Sequence, residues 1–140
     1  YRFDGKYEEN IKDTDKELAL QVNKKGEAAY HAGNIESSIY FYQQAIELNP
    51  RNGQFYSNLG LSFQKNSNEA EALWANRKAI EFASGTNAKT VKASSYYNIA
   101  KIYESNSQWN NALQYYKLAK QNKANPVYDK AILRVSSKMR

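Results

Sequence analysis

The sequence has no cysteine, one histidine, two prolines and six glycines in 140 residues. Without cysteine there is no disulfide, no thiolate metal site and no thiol nucleophile, and the compartment stays open between cytoplasm and export. His31 has no second imidazole or thiolate with which to share a metal or build a base–nucleophile pair. It reads as a solvated residue near a helix end. No run approaches the ~18 apolar residues that span a bilayer, and no apolar leader opens the sequence. Phosphate-binding loops and dinucleotide fingerprints are lacking too. Neighbouring acids such as Glu8 and Glu9, or Glu69 and Glu71, show no shared apolar setting that would tune them for acid–base work. Catalysis is not expected, and neither a cofactor nor a metal is implied. The chain opens on Tyr1 rather than methionine, as a processed chain or a piece of a longer one would.

What the sequence does have is a repeat. Leu59–Phe63 is echoed by Ile99–Tyr103, each preceded by a tyrosine (Tyr56, Tyr96) and followed by spaced alanines (Ala72 and Ala79; Ala112 and Ala119). A weaker copy upstream places Gly26, Ser38, Ala45 and Pro50 in the same relation. Gly26 to Gly60 and Ala45 to Ala79 are both 34 residues; Gly60 to Ala100 and Ala79 to Ala119 are both 40. A period near 34 with small residues at set offsets signals stacked helical hairpins. So few helix breakers suit such a chain, which is long enough for one domain with a continuous core.

Helix signals follow that frame. Thr14 to Glu17 forms a Ser/Thr-x-x-Glu capping box, so the first helix is expected over about 15–31, ending at Gly33. Residues 1–14 read as a tail or short helix, with Gly5 at a possible hairpin turn. Asn34 can cap a second helix that buries Ile35, Ser38, Ile39, Tyr42, Ala45 and Ile46, and Asn49 to Gly53 ends it. The third helix carries Tyr56, Leu59, Gly60 and Phe63; the fourth starts near Asn68. Six extra residues near 84–93 belong either to an early-starting fifth helix, about 87–106, or to a longer loop. A sixth helix is expected over about 108–122 and a capping helix over 127–138.

These residues resemble the tetratricopeptide repeat (TPR) family, whose pattern is W-x2-L-G-x2-Y, then A-x3-F, A and P. The second repeat supplies Tyr56, Leu59, Gly60, Phe63, Ala72 and Ala79, with Asn76 where an aromatic is usual and Ser84 for the proline. The third supplies Tyr96, Ile99, Ala100, Tyr103, Ala112, Tyr116 and Ala119. The first is the most divergent, with Lys25 in the leucine position, so its first helix is expected to be partly exposed or covered by the N-terminal segment. The resemblance implies an all-α, right-handed superhelix of about seven helices in one domain over 15–138. Its repeats fall at about 19–52, 53–86 and 93–126, followed by a cap.

The resemblance further implies a concave groove, lined by the first helix of each hairpin, that receives a peptide or helix of a partner protein. Projected onto this chain, the groove takes Asn23, Lys24 and Glu27, then Ser57, Asn58 and Leu61, then Tyr97, Asn98 and Lys101. Leu20, Gln54 and Ser94 fall at a rim, and Tyr30, Gln64, Lys65 and Glu104 further along. Asparagine amides can serve a peptide backbone of any sequence, and Tyr97 is the expected anchor. Co-chaperone members clamp a terminal carboxylate with Lys and Asn, then Asn, then Lys and Arg. The corresponding residues here are Asn23 and Glu27, Asn58, then Ser94 and Asn98, so only Asn58 matches and a chaperone-tail clamp is disfavoured.

Charge is uneven. Residues 1–88 hold ten Lys/Arg and twelve Asp/Glu, a net of −2; residues 89–140 hold ten and two, a net of +8. A basic surface of Lys117, Lys120, Lys123, Lys130, Arg134 and Lys138 is therefore an alternative binding site for an acidic protein, an anionic membrane or nucleic acid. Nucleic acid is the least favoured of these, because the interleaved tyrosines fit the repeat's packing positions. The remaining alternative is a homo-oligomer formed through the ends of the stack. The sequence thus predicts a non-enzymatic protein-binding adaptor or scaffold.

Overall fold

The computed structural model describes residues 11–140, which form seven α-helices and one short 3-10 turn. The helices are α1 (Asp13–His31), α2 (Ile35–Leu48), α3 (Gly53–Lys65), α4 (Glu69–Phe82), α5 (Ala88–Ser105), α6 (Trp109–Asn122) and α7 (Pro126–Lys138). They pair as hairpins α1/α2, α3/α4 and α5/α6, with α7 closing the stack against α6. Each hairpin packs on the next, and α3 also meets α1 and α5. The result is a right-handed superhelix whose first helices share one face. The suggested turn at Gly5 lies outside the described residues.

The three hairpin turns are built alike, for a backbone reason. Gly33 (φ 85), Ser67 (φ 63) and Ser107 (φ 58) each take the left-handed conformation just past a helix. The next residue then turns its N–H back to the helix: Asn34 to the Ala29 carbonyl (2.8 Å), Asn68 to Phe63 (2.8 Å), Gln108 to Tyr103 (2.9 Å). This is the Schellman arrangement, which satisfies carbonyls the helix end would otherwise leave open. Only the first turn uses the glycine that favours such a φ.

Several local expectations are corrected. The capping box at Thr14 does not form, because α1 begins two residues earlier than expected, at Asp13. The Lys16 N–H already bonds to the Lys12 carbonyl (3.1 Å), which places Thr14 inside the first turn. Asp13 and Asp15 favour that helix start through its dipole instead. Asn34 stands at the α2 N-cap position, but its side chain makes no capping bond. The true side-chain caps are Asn52, which accepts from the Phe55 N–H (3.2 Å), and Asn125, which accepts from Val127 (2.9 Å). Gly53 opens α3 rather than making a turn. A Cβ there would lie 2.8 Å from the Ala79 carbonyl oxygen, so glycine lets α3 approach the end of α4.

The six extra residues mostly become helix. A 3-10 turn over Gly85–Asn87 runs directly into α5, which has 18 residues against 13 in α3. Small residues sit where helices approach: Ala45, Ala72, Ala79, Ala112 and Ala119 are fully buried. Gly26 gives room to the Tyr42 ring, whose nearest carbon would be 2.6 Å from an added Cβ. Large buried side chains (Phe55, Ile99, Tyr116) fill the space between hairpins. Lys25 is exposed on α1, as are Leu18 and Leu20.

Candidate functional site

Polar side chains, unusually, join the hairpins through the core. The Asn58 amide donates to Asn23 Oδ1 (3.0 Å), tying α3 to α1. Ser57 and Ser95 hydroxyls lie 3.2 Å apart between α3 and α5, and Ser38 and Ser62 lie 2.9 Å apart between α2 and α3. Asn98 donates to Asn76 Oδ1 (3.0 Å), and Asn76 donates to the Ala72 carbonyl (2.9 Å). Asn76 is fully buried in the position where the repeat pattern has an aromatic ring. Gly60 makes this possible, since a Cβ there would collide with the Asn76 amide. Buried amides with satisfied partners fix one register of helix against helix.

Above this layer runs a cleft in two parts. One, of about 450 Å³, lies between α3, α5 and the start of α7 and includes Ser57, Asn58, Leu61, Tyr97, Asn98 and Lys101. The other, of about 310 Å³, continues toward α1 through Leu61, Gln64, Lys65 and Tyr30. Leu61 and Lys101 belong to both, so the parts form one groove.

The structure therefore brings together six of the nine projected groove residues. Their exposure differs. Ser57 and Asn98 are nearly buried and spend their polar atoms on Ser95 and Asn76. Asn58 also accepts from Gln54 (2.9 Å), which leaves it part of its bonding capacity. Tyr97 is half-buried against Tyr116 and Tyr128, with ring centroids at 5.7 and 5.3 Å, so its ring serves the core as well as the cleft. Lys101 places its ammonium 4.7 Å from the Tyr97 ring centre. The three α1 residues stand apart from this cleft: Asn23 is buried against Asn58, while Lys24 and Glu27 are exposed.

The α7 contribution was missed by sequence reading. Asn125, Val127 and Tyr128 wall the cleft at its far end. The signal was present, because Tyr128 lies one repeat length, 34 residues, after the rim residue Ser94. A capping helix that stacks as another first helix offers the groove its corresponding positions.

The basic surface is partly neutralised. Arg134 makes a two-pronged pair with Glu104 (2.6 and 2.8 Å), to which Tyr116 also donates (2.5 Å). The Arg134 hydrogen bonds hold the Glu104 carboxyl below its ordinary range, with Tyr116 and the nearby Lys138 charge adding to the effect against burial. Burial foremost, and the Glu104 carboxylate next, push the Tyr116 hydroxyl well above its usual value. Lys120 pairs with Asp129 (2.7 Å) and Lys123 donates to Thr90 (3.1 Å). Lys117 and Lys130 are exposed. Among the described residues, no group of His, Asp and Glu is placed to hold a metal ion, and no helix is long and apolar enough to cross a membrane.

Repeat spacing and fold together match those of tetratricopeptide-repeat domains. The family's repeat model matches residues 26–67 directly. Solved structures extend the likeness to nearly the whole chain. The TPR domain of Arabidopsis OM64 superposes with a TM-score of 0.80 at 22% identity, covering 89% of this chain and 98% of that one. The N-terminal domain of stress-induced protein-1 (STI-1) from C. elegans gives 0.77 at 23%, covering 89% and 99%. The first TPR of Spaghetti (RPAP3), bound to the HSP90 peptide SRMEEVD, gives 0.76 at 16%, covering 86% and 92%.

Proposed function

We propose that this chain is a non-catalytic adaptor that holds a segment of a partner protein in its concave groove. The observation that carries this reading is the continuity of the cleft across α3, α5 and α7, with Lys101 and Leu61 common to both parts. A peptide laid along it would meet apolar surface at Leu61 and Val127 and spare hydrogen-bonding capacity at Asn58 and Gln64. The Spaghetti domain, a structural neighbour, binds a peptide of HSP90. A chaperone tail remains a poor fit to this groove, because Asn23, Glu27, Ser94 and Asn98 stand where the clamp needs cations and amides. Two of these, Asn23 and Asn98, are bonded within the fold.

Capture from native lysate tests the reading, comparing the chain with a Ser94→Arg, Lys101→Ala variant. These positions are chosen because Asn58 and Tyr97 also hold the fold, so their truncation would confound binding with stability. A partner retained at high salt by the native chain and lost by the variant supports the groove. Retention that ignores the variant and vanishes with salt would move the site to the basic surface around Lys117 and Lys130.

A further inference from the structure

The groove contains a cation with no counterion among the described residues. Lys101 is partly buried where the two parts of the cleft meet, and no carboxylate among the described residues pairs with it. Burial chiefly, and the neighbouring charge of Lys65 after it, lower its pKa from the ordinary lysine value. Neither Glu104 nor Glu27 forms an ion pair with Lys101. Glu104, three residues on along α5, is held by Arg134 and Tyr116. Glu27 is exposed on α1, where its charge bears on Tyr42. Withdrawing a cation from water beside a second cation is unfavourable, and an incoming anion would relieve it. On the same stretch of wall, Gln64 Oε1 is buried without a donor among the described residues, as a peptide N–H could supply.

We propose that the groove is selective for an internal acidic segment of its partner, with an Asp or Glu side chain seated by Lys101 and Lys65 and an apolar side chain beside Leu61, Tyr97 and Val127. The inference rests on the groove-binding reading above. It favours a side-chain carboxylate over a chain terminus because the cleft continues on both sides of Lys101, so a bound segment passes it in both directions. Lysine also acts as a point charge and suits a single carboxylate without a fixed fork of donors.

Selection from phage-displayed random dodecapeptides on the immobilised full chain tests this directly. Such peptides are fused through their C termini and present no terminal carboxylate. Selected sequences are then synthesised with both ends capped and measured by fluorescence anisotropy. The expected result is a fixed Asp or Glu whose change to Asn or Gln weakens binding at least tenfold. Lys101→Met should cause the same loss, with no further loss when both changes are combined. Lys101→Glu should bind the partner peptide once its acid is changed to Lys, and thermal melts by circular dichroism should match for all variants. Neutral or basic peptides that Ser94→Arg blocks and Lys101→Met spares would overturn the inference and leave the groove reading standing. So would binding in a parallel free-C-terminus array that is abolished by amidation. If no selected peptide is displaced by Ser94→Arg, the groove reading falls, and this inference with it.

Discussion

Asn98 on α5 donates to Asn76 on α4 at 3.0 Å, joining the second hairpin to the third through a fully buried amide. The bond answers two questions at once. It satisfies a polar group in a position that the repeat pattern gives to an aromatic ring, and it explains why Gly60 faces it without a side chain.

Replacing Asn76 with leucine therefore leaves the Asn98 amide without its partner in a nearly closed site. The expected loss is about 1–3 kcal/mol of unfolding free energy, the usual cost of stranding a buried donor. Adding Asn98→Ala to Asn76→Leu should cost less than the two single losses together. Urea unfolding of the four proteins in the cycle measures it; strict additivity would mean that the pair is not coupled.

The serines in the second and third turns occupy backbone space that glycine enters freely. Ser67→Gly and Ser107→Gly should each stabilise the fold by up to about 1 kcal/mol, since relief of the left-handed strain exceeds the added freedom of the unfolded chain. Gly33→Ala should move in the opposite direction by a similar amount. Thermal unfolding distinguishes these cases, and a lowered midpoint for both serine variants would contradict the account.

At Gly26 the limit is space rather than φ. Gly26→Ala drives a methyl group against the Tyr42 ring and should cost about 1–3 kcal/mol, the range for overpacked cores. Tyr42→Leu in the same chain should recover part of that loss. If Gly26→Ala proves neutral by urea unfolding, the helices have more room to part than their packing indicates.

Glu104 links stability to pH. Its folded pKa lies below the ordinary glutamate value of about 4.3, so its contribution is complete above that value and fades as pH falls toward the folded one. Arg134 is half exposed, which limits the effect to about 1 kcal/mol or less. Unfolding curves between pH 7 and 3 should show the native chain's advantage over Glu104→Gln shrinking with acid. A gap that stays constant would assign the difference to packing.

Much of the fold is legible in the sequence because helices that touch must carry small residues where they meet, and those meeting points recur with the repeat. Gly26, Gly60, Ala79 and Ala119 mark them at fixed spacing. What escapes that logic is local or relational. Ser67 and Ser107 adopt a glycine-like backbone that their side chains do not announce. Thr14 has the pattern of a cap, yet the acids around it start the helix earlier. Asn76 looks like a lapse from the repeat until Gly60 and Asn98 are seen beside it. Leu61 and Lys101, which spacing projected onto a groove, line the cleft. Spacing could not separate residues whose polar atoms are free from those, such as Asn98 and Ser57, that are bonded inward.

Helix α7 has a wall of the cleft at one end and, at Arg134, a latch to Glu104 further along. A single unbroken helix joins the two. Loosening the latch should be felt by a bound segment some two turns away, as faster dissociation even though every residue that touches the segment is unchanged. Conversely, a partner seated on Val127 should slow amide hydrogen exchange along the whole of α7. The last helix would then report occupancy of a groove that most of its length never touches.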